Sequence, residues 1–218
     1  PSAQAGGTRR PSMNEATRQL QSALDNAPPG EEVLLPAGVH EIGPLRLRSG
    51  ARVRLARGCV LRGSPDVNAY RCSPGGALTG LLLCRDAQDV VIRGEGVIDG
   101  NADAFIAPGM QRPEGPAPMR ERPGNLVAFS NCRNVEISGL ALRDSPYWTL
   151  NFDGCDGAVA RGLRITGYPL VPNNDGIHVS SSCNVSIADC DISTGDDAIA
   201  VTGLVDVEGE VIPGFVGY

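Results

Sequence analysis

The chain has 218 residues and a formal net charge of −6, with 41% hydrophobic residues but only 4% aromatic ones. A chain of this length fits one domain and can bury a substantial core, which aliphatic side chains must fill. No apolar run reaches the ~20 residues that a membrane-spanning helix requires. The 19 basic residues form no stripe that would suit a nucleic acid. We therefore expect neither a membrane partner nor a nucleic-acid partner.

The first segment with a clear pattern is N-terminal. Ser12 and Glu15 have the spacing of a capping box, and small and apolar residues then recur on one helical face up to Ala27. Pro28-Pro29-Gly30 ends this pattern. The sequence therefore predicts a cap helix over 12–27, after a flexible N-terminus of residues 1–11.

The remainder of the chain contains an internal repeat of 22–27 residues. Four segments align, each opening with a turn residue and followed by alternating aliphatic residues: Asp89–Ile92, Asn134–Ile137, Gly157–Ala160 and Asn184–Ile187. A unit of this length with alternating strands is typical of a β-solenoid, in which stacked coils bury aliphatic columns. The fold predicted is all-β, a parallel β-helix closed at one end by the N-terminal helix.

Two departures from the regular repeat are expected within a single domain of residues 1–218. The first two repeat segments begin 45 residues apart, an excess of about one repeat, so we expect the Pro/Gly-rich segment 107–124 to be an inserted loop. Residues 202–218 form an atypical tail, and an uncapped C-terminal coil before it would favour self-association.

Three aspartates near the C-terminus recur in register with this repeat. The segment that begins at Asp175 matches the segment that begins at Asp197, an offset of 22 residues, and Asp196 then aligns with Asn174. If the offset is one coil, the two matched residues lie roughly 4.7–4.9 Å apart in the stacking direction. Like charges at that distance repel, so such a cluster suits general acid and base chemistry better than structural support.

The sequence resembles glycoside hydrolase family 28, the polygalacturonase family, over nearly its whole length. The family's Asn-Thr-Asp motif appears as Asn173-Asn174-Asp175, with Asn in place of Thr, and its Gly-Asp-Asp motif is intact at residues 195–197. Three longer segments carry the rest of the resemblance: LPAGVHEIGPLRLRSGARVRLARGCVLRGS, VVIRGEGVIDGNA and NCRNVEISGLALRDSPYWTLNF.

This resemblance implies a right-handed parallel β-helix that hydrolyses α-1,4 bonds between galacturonate units of pectin with inversion. It implies Asp196 as general acid, and Asp175 and Asp197 as the residues that hold and activate the water. The residues taken to bind substrate are His178, Asn173 and Asn174. It implies no cofactor and no metal, an acidic polysaccharide as partner, and a secreted or periplasmic location.

Two features favour an alternative hypothesis. The family's Gly-His-Gly and Arg-x-Lys motifs are missing, since the chain has no lysine and only two histidines, His40 and His178. Residues 101–218 hold seven arginines against fifteen acids, which would repel a polyanion. The alternative is a truncated, catalytically impaired β-helix that acts as a carbohydrate-binding or structural remnant. A calcium-dependent pectin lyase is disfavoured, because no arginine is expected near the acids.

Overall fold

A computed structural model describes residues 13–73, 75–108 and 116–203. Eighteen short strands form three parallel sheets of six strands each, and each sheet takes one strand from every coil. The architecture is a right-handed parallel β-helix of six stacked coils, as predicted.

Each coil contributes one strand to each sheet, in the same order. The first sheet contains β1 (Glu32–Leu35), β4 (Arg52–Leu55), β7 (Gln88–Gly94), β10 (Arg133–Ser138), β13 (Asp156–Arg161) and β16 (Cys183–Ala188). The second contains β2 (Gly38–Ile42), β5 (Cys59–Gly63), β8 (Val97–Asp99), β11 (Ala141–Arg143), β14 (Arg164–Thr166) and β17 (Asp191–Ser193). The third contains β3 (Leu45–Leu47), β6 (Leu82–Arg85), β9 (Val127–Ser130), β12 (Leu150–Asp153), β15 (Ile177–Ser180) and β18 (Ile199–Thr202).

Aliphatic and aromatic columns fill the interior of the helix. Val135 pairs with Val90 in the coil before it and with Ala158 in the coil after it, and all three are buried. Phe129 and Phe152 stack in another column, with ring centroids 5.4 Å apart. The register agrees with the sequence repeat, because one side chain of each coil must cover the matching side chain of the next.

The backbone conformation explains which residue types open each repeat segment. Asp89, Asn134, Gly157 and Asn184 all have φ between 50° and 75°. Left-handed backbone of this kind disfavours most L-residues but is tolerated by Gly, Asn and Asp. The recurrence of these three residue types therefore marks the same bend in successive coils.

The N-terminal helix α1 spans Glu15–Asn26, which is shorter at both ends than the predicted 12–27. Asn14 is its N-cap, with Oδ1 accepting a hydrogen bond from the Thr17 backbone N–H at 2.8 Å, so the predicted cap at Ser12 is wrong. The helix packs against β1, β2 and β3 and covers the first coil. The helices of the described residues are too short and too polar to cross a membrane.

The connections between the second and third sheets differ greatly in length. They take only two residues in the first coil, the long segments 64–81 and 100–126 in the next two, and the short segments 144–149, 167–176 and 194–198 in the last three. Ile106 forms an isolated antiparallel bridge with Met119, which lies within the predicted insertion 107–124. Residues 1–12, 109–115 and 204–218, which include most of the predicted termini, lie outside the described residues.

Candidate active site

The predicted site residues lie in two successive connections at one corner of the helix. Ile177 pairs with Ile199, and the Gly176 backbone N–H donates to the Asp197 carbonyl at 2.9 Å. This register sets Asp175 beside Asp197, one coil apart, as the 22-residue offset predicts. By the same register, Asn174 lies beside Asp196.

The three carboxylates have different environments. Asp175 is only 6% exposed, whereas Asp196 and Asp197 are exposed. Burial raises the pKa of Asp175, and the charges of Asp196 and Asp197 raise it further, while His178 acts in the opposite direction. The surroundings of Asp175 therefore disfavour the charged form of its carboxyl group.

His178 packs against Asp175 inside the corner. His178 is 5% exposed, and its Nδ1 lies 3.3 Å from Oδ2 of Asp175. The ring stacks on Trp148 with centroids 3.7 Å apart, and Nε2 lies 3.1 Å from the Thr202 Oγ1. The alternation of β15 predicts a ring on the open outer wall, but Trp148 covers that face. The ring therefore contacts Asp175 and leaves little surface for a substrate.

The two asparagines before Asp175 support the loop. Asn173 has a left-handed φ of 56°, and its Oδ1 accepts a hydrogen bond from Arg122 at 2.9 Å. Asn174 is fully buried, and its Nδ2 donates to the Tyr168 carbonyl at 3.3 Å. A side chain with no exposed surface cannot contact a substrate in this conformation, so the predicted binding role of Asn174 does not fit its position.

Arg122 is a residue that the sequence analysis missed. Its Nη1 donates to the carbonyls of Pro146 at 2.8 Å and Pro172 at 2.7 Å, and the guanidinium lies 4.9 Å from the centre of the Tyr147 ring. Burial lowers the pKa of Arg122. The guanidinium thus joins the connections of three successive coils. Arg122 is 51 residues from Asn173 along the chain, so no local pattern in the sequence links the two.

The glycine of the Gly-Asp-Asp segment also has a local structural role. A Cβ atom at Gly195 would lie 2.7 Å from the Pro169 carbonyl carbon, so only glycine allows the two connections to approach this closely. The Asp197 backbone N–H donates to Oδ1 of Asp196 at 3.1 Å, and Thr194 Oγ1 donates to the Asp196 carbonyl at 3.2 Å. Both contacts fix the short turn that carries the two exposed acids.

Metal binding is not indicated by the described part of the chain. No group of three or more His, Cys, Asp or Glu side chains there is arranged to hold a metal ion. All seven cysteines lie in the described residues as free thiols. The acidic side chains that this corner brings together are three carboxyl groups, one buried and two exposed.

Comparison with known proteins settles the family. The family model "Glycosyl hydrolases family 28" matches residues 31–211. The chain belongs to glycosyl hydrolase family 28. A probable polygalacturonase of Vitis vinifera is 30% identical over 185 residues, which are 79% of this chain and 37% of that protein. An endo-polygalacturonase of Pectobacterium carotovorum subsp. carotovorum is 26% identical over 204 residues, or 85% of this chain and 51% of that protein.

Two solved structures of hydrolases have the same fold. The polygalacturonase from Erwinia carotovora ssp. carotovora superposes with a TM-score of 0.77 at 24% identity, over 94% of this chain and 61% of that one. An endo-xylogalacturonan hydrolase from Aspergillus tubingensis gives a TM-score of 0.65 at 19% identity, over 87% and 52%. The present chain spans about a third to a half of the length of the two curated relatives named above.

Proposed function

We propose that this family 28 chain hydrolyses α-1,4 galacturonosyl bonds of pectin with inversion at the anomeric carbon. The observation that carries the proposal is the one-coil register that brings Asp175, Asp196 and Asp197 to one corner. Inverting hydrolysis needs one carboxyl to protonate the leaving oxygen and another to activate a water on the opposite face of the sugar.

The environments of the three acids support a division of labour. Asp196 is exposed, as an acid that must reach a glycosidic oxygen in an open cleft has to be, and we assign it as the general acid. Asp175 and Asp197 would hold and activate the water. Burial and the charge of Asp196 raise the pKa of Asp175, so the ionisation of this carboxyl depends on its neighbours in the cluster. An acid-to-base separation of roughly 6.5–9.5 Å is expected for this chemistry.

The charge around the corner supports an acidic polysaccharide as substrate. The two long connections, 64–81 and 100–126, place Arg71, Arg120 and Arg122 on the same corner of the helix as the acids. Arg71 is paired with Glu121, whereas the side-chain contacts described for Arg122 are to uncharged groups. Arg122 and the exposed Arg120 are therefore cations of this corner that a polyanion could contact. A pectic substrate goes with a secreted or periplasmic location.

A reducing-sugar assay on polygalacturonic acid tests the proposal. The 218-residue chain should release reducing ends, and Asp196→Asn should lower kcat by about 10²–10⁴-fold, the usual contribution of a general acid. Asp191→Asn is the matched control, since Asp191 is an exposed acid on β17 paired with Arg164 at 3.8 Å. The first product should show the inverted anomer by ¹H NMR. Equal activity of wild type and Asp196→Asn would remove Asp196 from the mechanism.

The alternative hypothesis, a catalytically impaired β-helix that binds carbohydrate, predicts different results. If the chain binds galacturonate oligomers but neither wild type nor variants release reducing ends, the module is a carbohydrate-binding remnant. Binding measured by calorimetry with trigalacturonate separates this outcome from a protein that has no affinity for pectin at all.

A further inference from the structure

The environment of His178 shows a role that goes beyond substrate contact. The ring is held on three sides: Trp148 stacks on one face, Nε2 lies 3.1 Å from the Thr202 hydroxyl, and Nδ1 lies 3.3 Å from Asp175. The Thr202 Oγ1 in turn lies 3.2 Å from the Ser180 Oγ. Among the described residues Nδ1 is buried and has no hydrogen bond of good geometry, so it is the ring nitrogen left to meet the carboxylate 3.3 Å away.

We propose that His178 is a positioning residue whose Nδ1–H donates to Oδ2 of Asp175 and fixes that carboxylate, in its charged form, for the water of the proposed reaction. The inference rests on the proposed function of the corner. With Oδ2 engaged by His178, Oδ1 is the oxygen left to accept a proton from water. A carboxylate held in one orientation loses less freedom when the water and substrate bind.

The charges around the pair explain why such a residue is needed. Asp175 faces Asp196 and Asp197 from the next coil and Tyr147 from the preceding one. His178 additionally faces Asp153 on β12. Burial and both aspartates oppose the charge on Asp175, and among the described neighbours that affect its pKa, His178 is the one that lowers it. A base must be ionised to accept a proton, so the imidazole counteracts the cost of burying this base.

Two substitutions separate the hydrogen bond from the packing. His178→Phe retains an aromatic ring to stack on Trp148 but has no ring nitrogen. His178→Asn loses the stack but can place an N–H donor near the position of Nδ1. His40→Phe is the control, because His40 is the chain's other histidine and its Nε2 contacts the Pro36 carbonyl in the first coil.

The first readout is the titration of the Asp175 carboxyl, followed by ¹³C NMR of the side-chain carbonyl in the whole chain. His178→Phe should move this titration to higher pH, and His178→Asn should return it part of the way. The second readout is kinetic. His178→Phe should lower kcat on polygalacturonic acid about 10–100-fold, the range seen when a partner of a site residue is removed, with KM within about twofold. The acidic limb of the pH–rate profile of His178→Phe should move to higher pH.

The two readouts distinguish the failure of this inference from the failure of the proposed function. An unchanged Asp175 titration in His178→Phe would overturn the positioning role, whatever the kinetics show. If wild type hydrolyses nothing but the titration moves as expected, the proposed function fails and the hydrogen bond to Asp175 is supported. A kcat loss that is equal in His178→Phe and His178→Asn, without a change in titration, would assign His178 to packing alone and overturn the proposal.

Discussion

Gly167 packs directly against the side chain of Asn174, so closely that a Cβ atom at position 167 would lie 2.5 Å from Nδ2 of Asn174. Asn174 is fully buried and immediately precedes Asp175. The side chain of Asn174 therefore fills the space beside Gly167. Since Asn174 directly precedes Asp175, this contact also helps to place the buried acid.

Gly167→Ala should consequently disturb the acid cluster from a distance. The added methyl group must displace Asn174 or the backbone, and overpacking of this kind costs roughly 1–3 kcal/mol of unfolding free energy. We expect a lower melting temperature and a loss of kcat on polygalacturonic acid. Gly124→Ala is the control, because a Cβ there meets its nearest atom at an ordinary 3.6 Å. If the two variants unfold at the same temperature, the loop does not depend on this contact.

How far the sequence predicts this molecule depends on the range of the interaction. The offset between Asp175 and Asp197 could be found because a solenoid repeats its backbone path, so that residues one period apart become neighbours. The turn positions of Asn134 and Asn184 carry a local signal too, since left-handed backbone restricts the residue types. The register between successive coils can therefore be predicted from the sequence.

Side-chain contacts between different parts of the coil have no such signal. Arg122 reaches Asn173 from an irregular connection, and Trp148 covers His178 from the preceding coil. Neither pair is separated by a repeat length, and both depend on how irregular loops fold at the corner. The burial of His178 could not be predicted from the alternation of β15, because alternation defines only which face of a sheet a residue is on and does not show what covers it.

Asp175→Asn should stabilise the protein at neutral pH while abolishing the proposed hydrolysis. The folded-state pKa of Asp175 is raised by burial and by Asp196, so the folded chain binds a proton more readily than the unfolded chain. Wild-type stability is therefore greatest below this pKa and falls as pH rises through it. An uncharged Asn avoids the loss, so the melting temperature of the variant should exceed that of wild type at pH 7.

The pH dependence of that difference is the decisive measurement. The gain from Asp175→Asn should shrink as pH falls through the pKa of Asp175, where the wild-type carboxyl becomes neutral as well. Asp191→Asn, at an exposed position, should show no such gain at pH 7. A variant that melts below wild type at pH 7 would show that the contact with His178 outweighs the burial and repulsion at this site.

Arg122→Gln should loosen the corner that carries the acids. The guanidinium holds the carbonyls of Pro146 and Pro172 and the side chain of Asn173, and hydrogen bonds from a charged donor contribute about 1.5–3 kcal/mol each when both groups are buried. Because Arg122 is half-buried, we expect a smaller total loss of about 1–3 kcal/mol in denaturant unfolding. Arg120→Gln, at an exposed arginine of the same segment, should stay within about 0.5 kcal/mol of wild type. Equal losses of unfolding free energy in the two variants would show that the positive charge stabilises this segment, and that the hydrogen bonds of Arg122 do not.

Val201→Arg should reduce self-association of the chain. Val201 continues the interior column of Phe129, Phe152 and Val179, yet it is 76% exposed, and Ile199 in the neighbouring column is 47% exposed. Exposed apolar side chains on the last described coil favour stacking of a second copy on this face. Sedimentation velocity of wild type should therefore show association that grows with concentration, and the charge should suppress it.

Val39→Arg provides the matched control for that experiment. Val39 is 69% exposed, nearly as much as Val201, but it lies on β2 in the first coil, on the outer face of the second sheet. A charge there adds the same repulsion between copies without touching the open interior column. If Val39→Arg and Val201→Arg lower association equally, general charge repulsion explains the effect. A wild-type chain that stays monomeric at every concentration would mean that the exposed column does not bind a second copy.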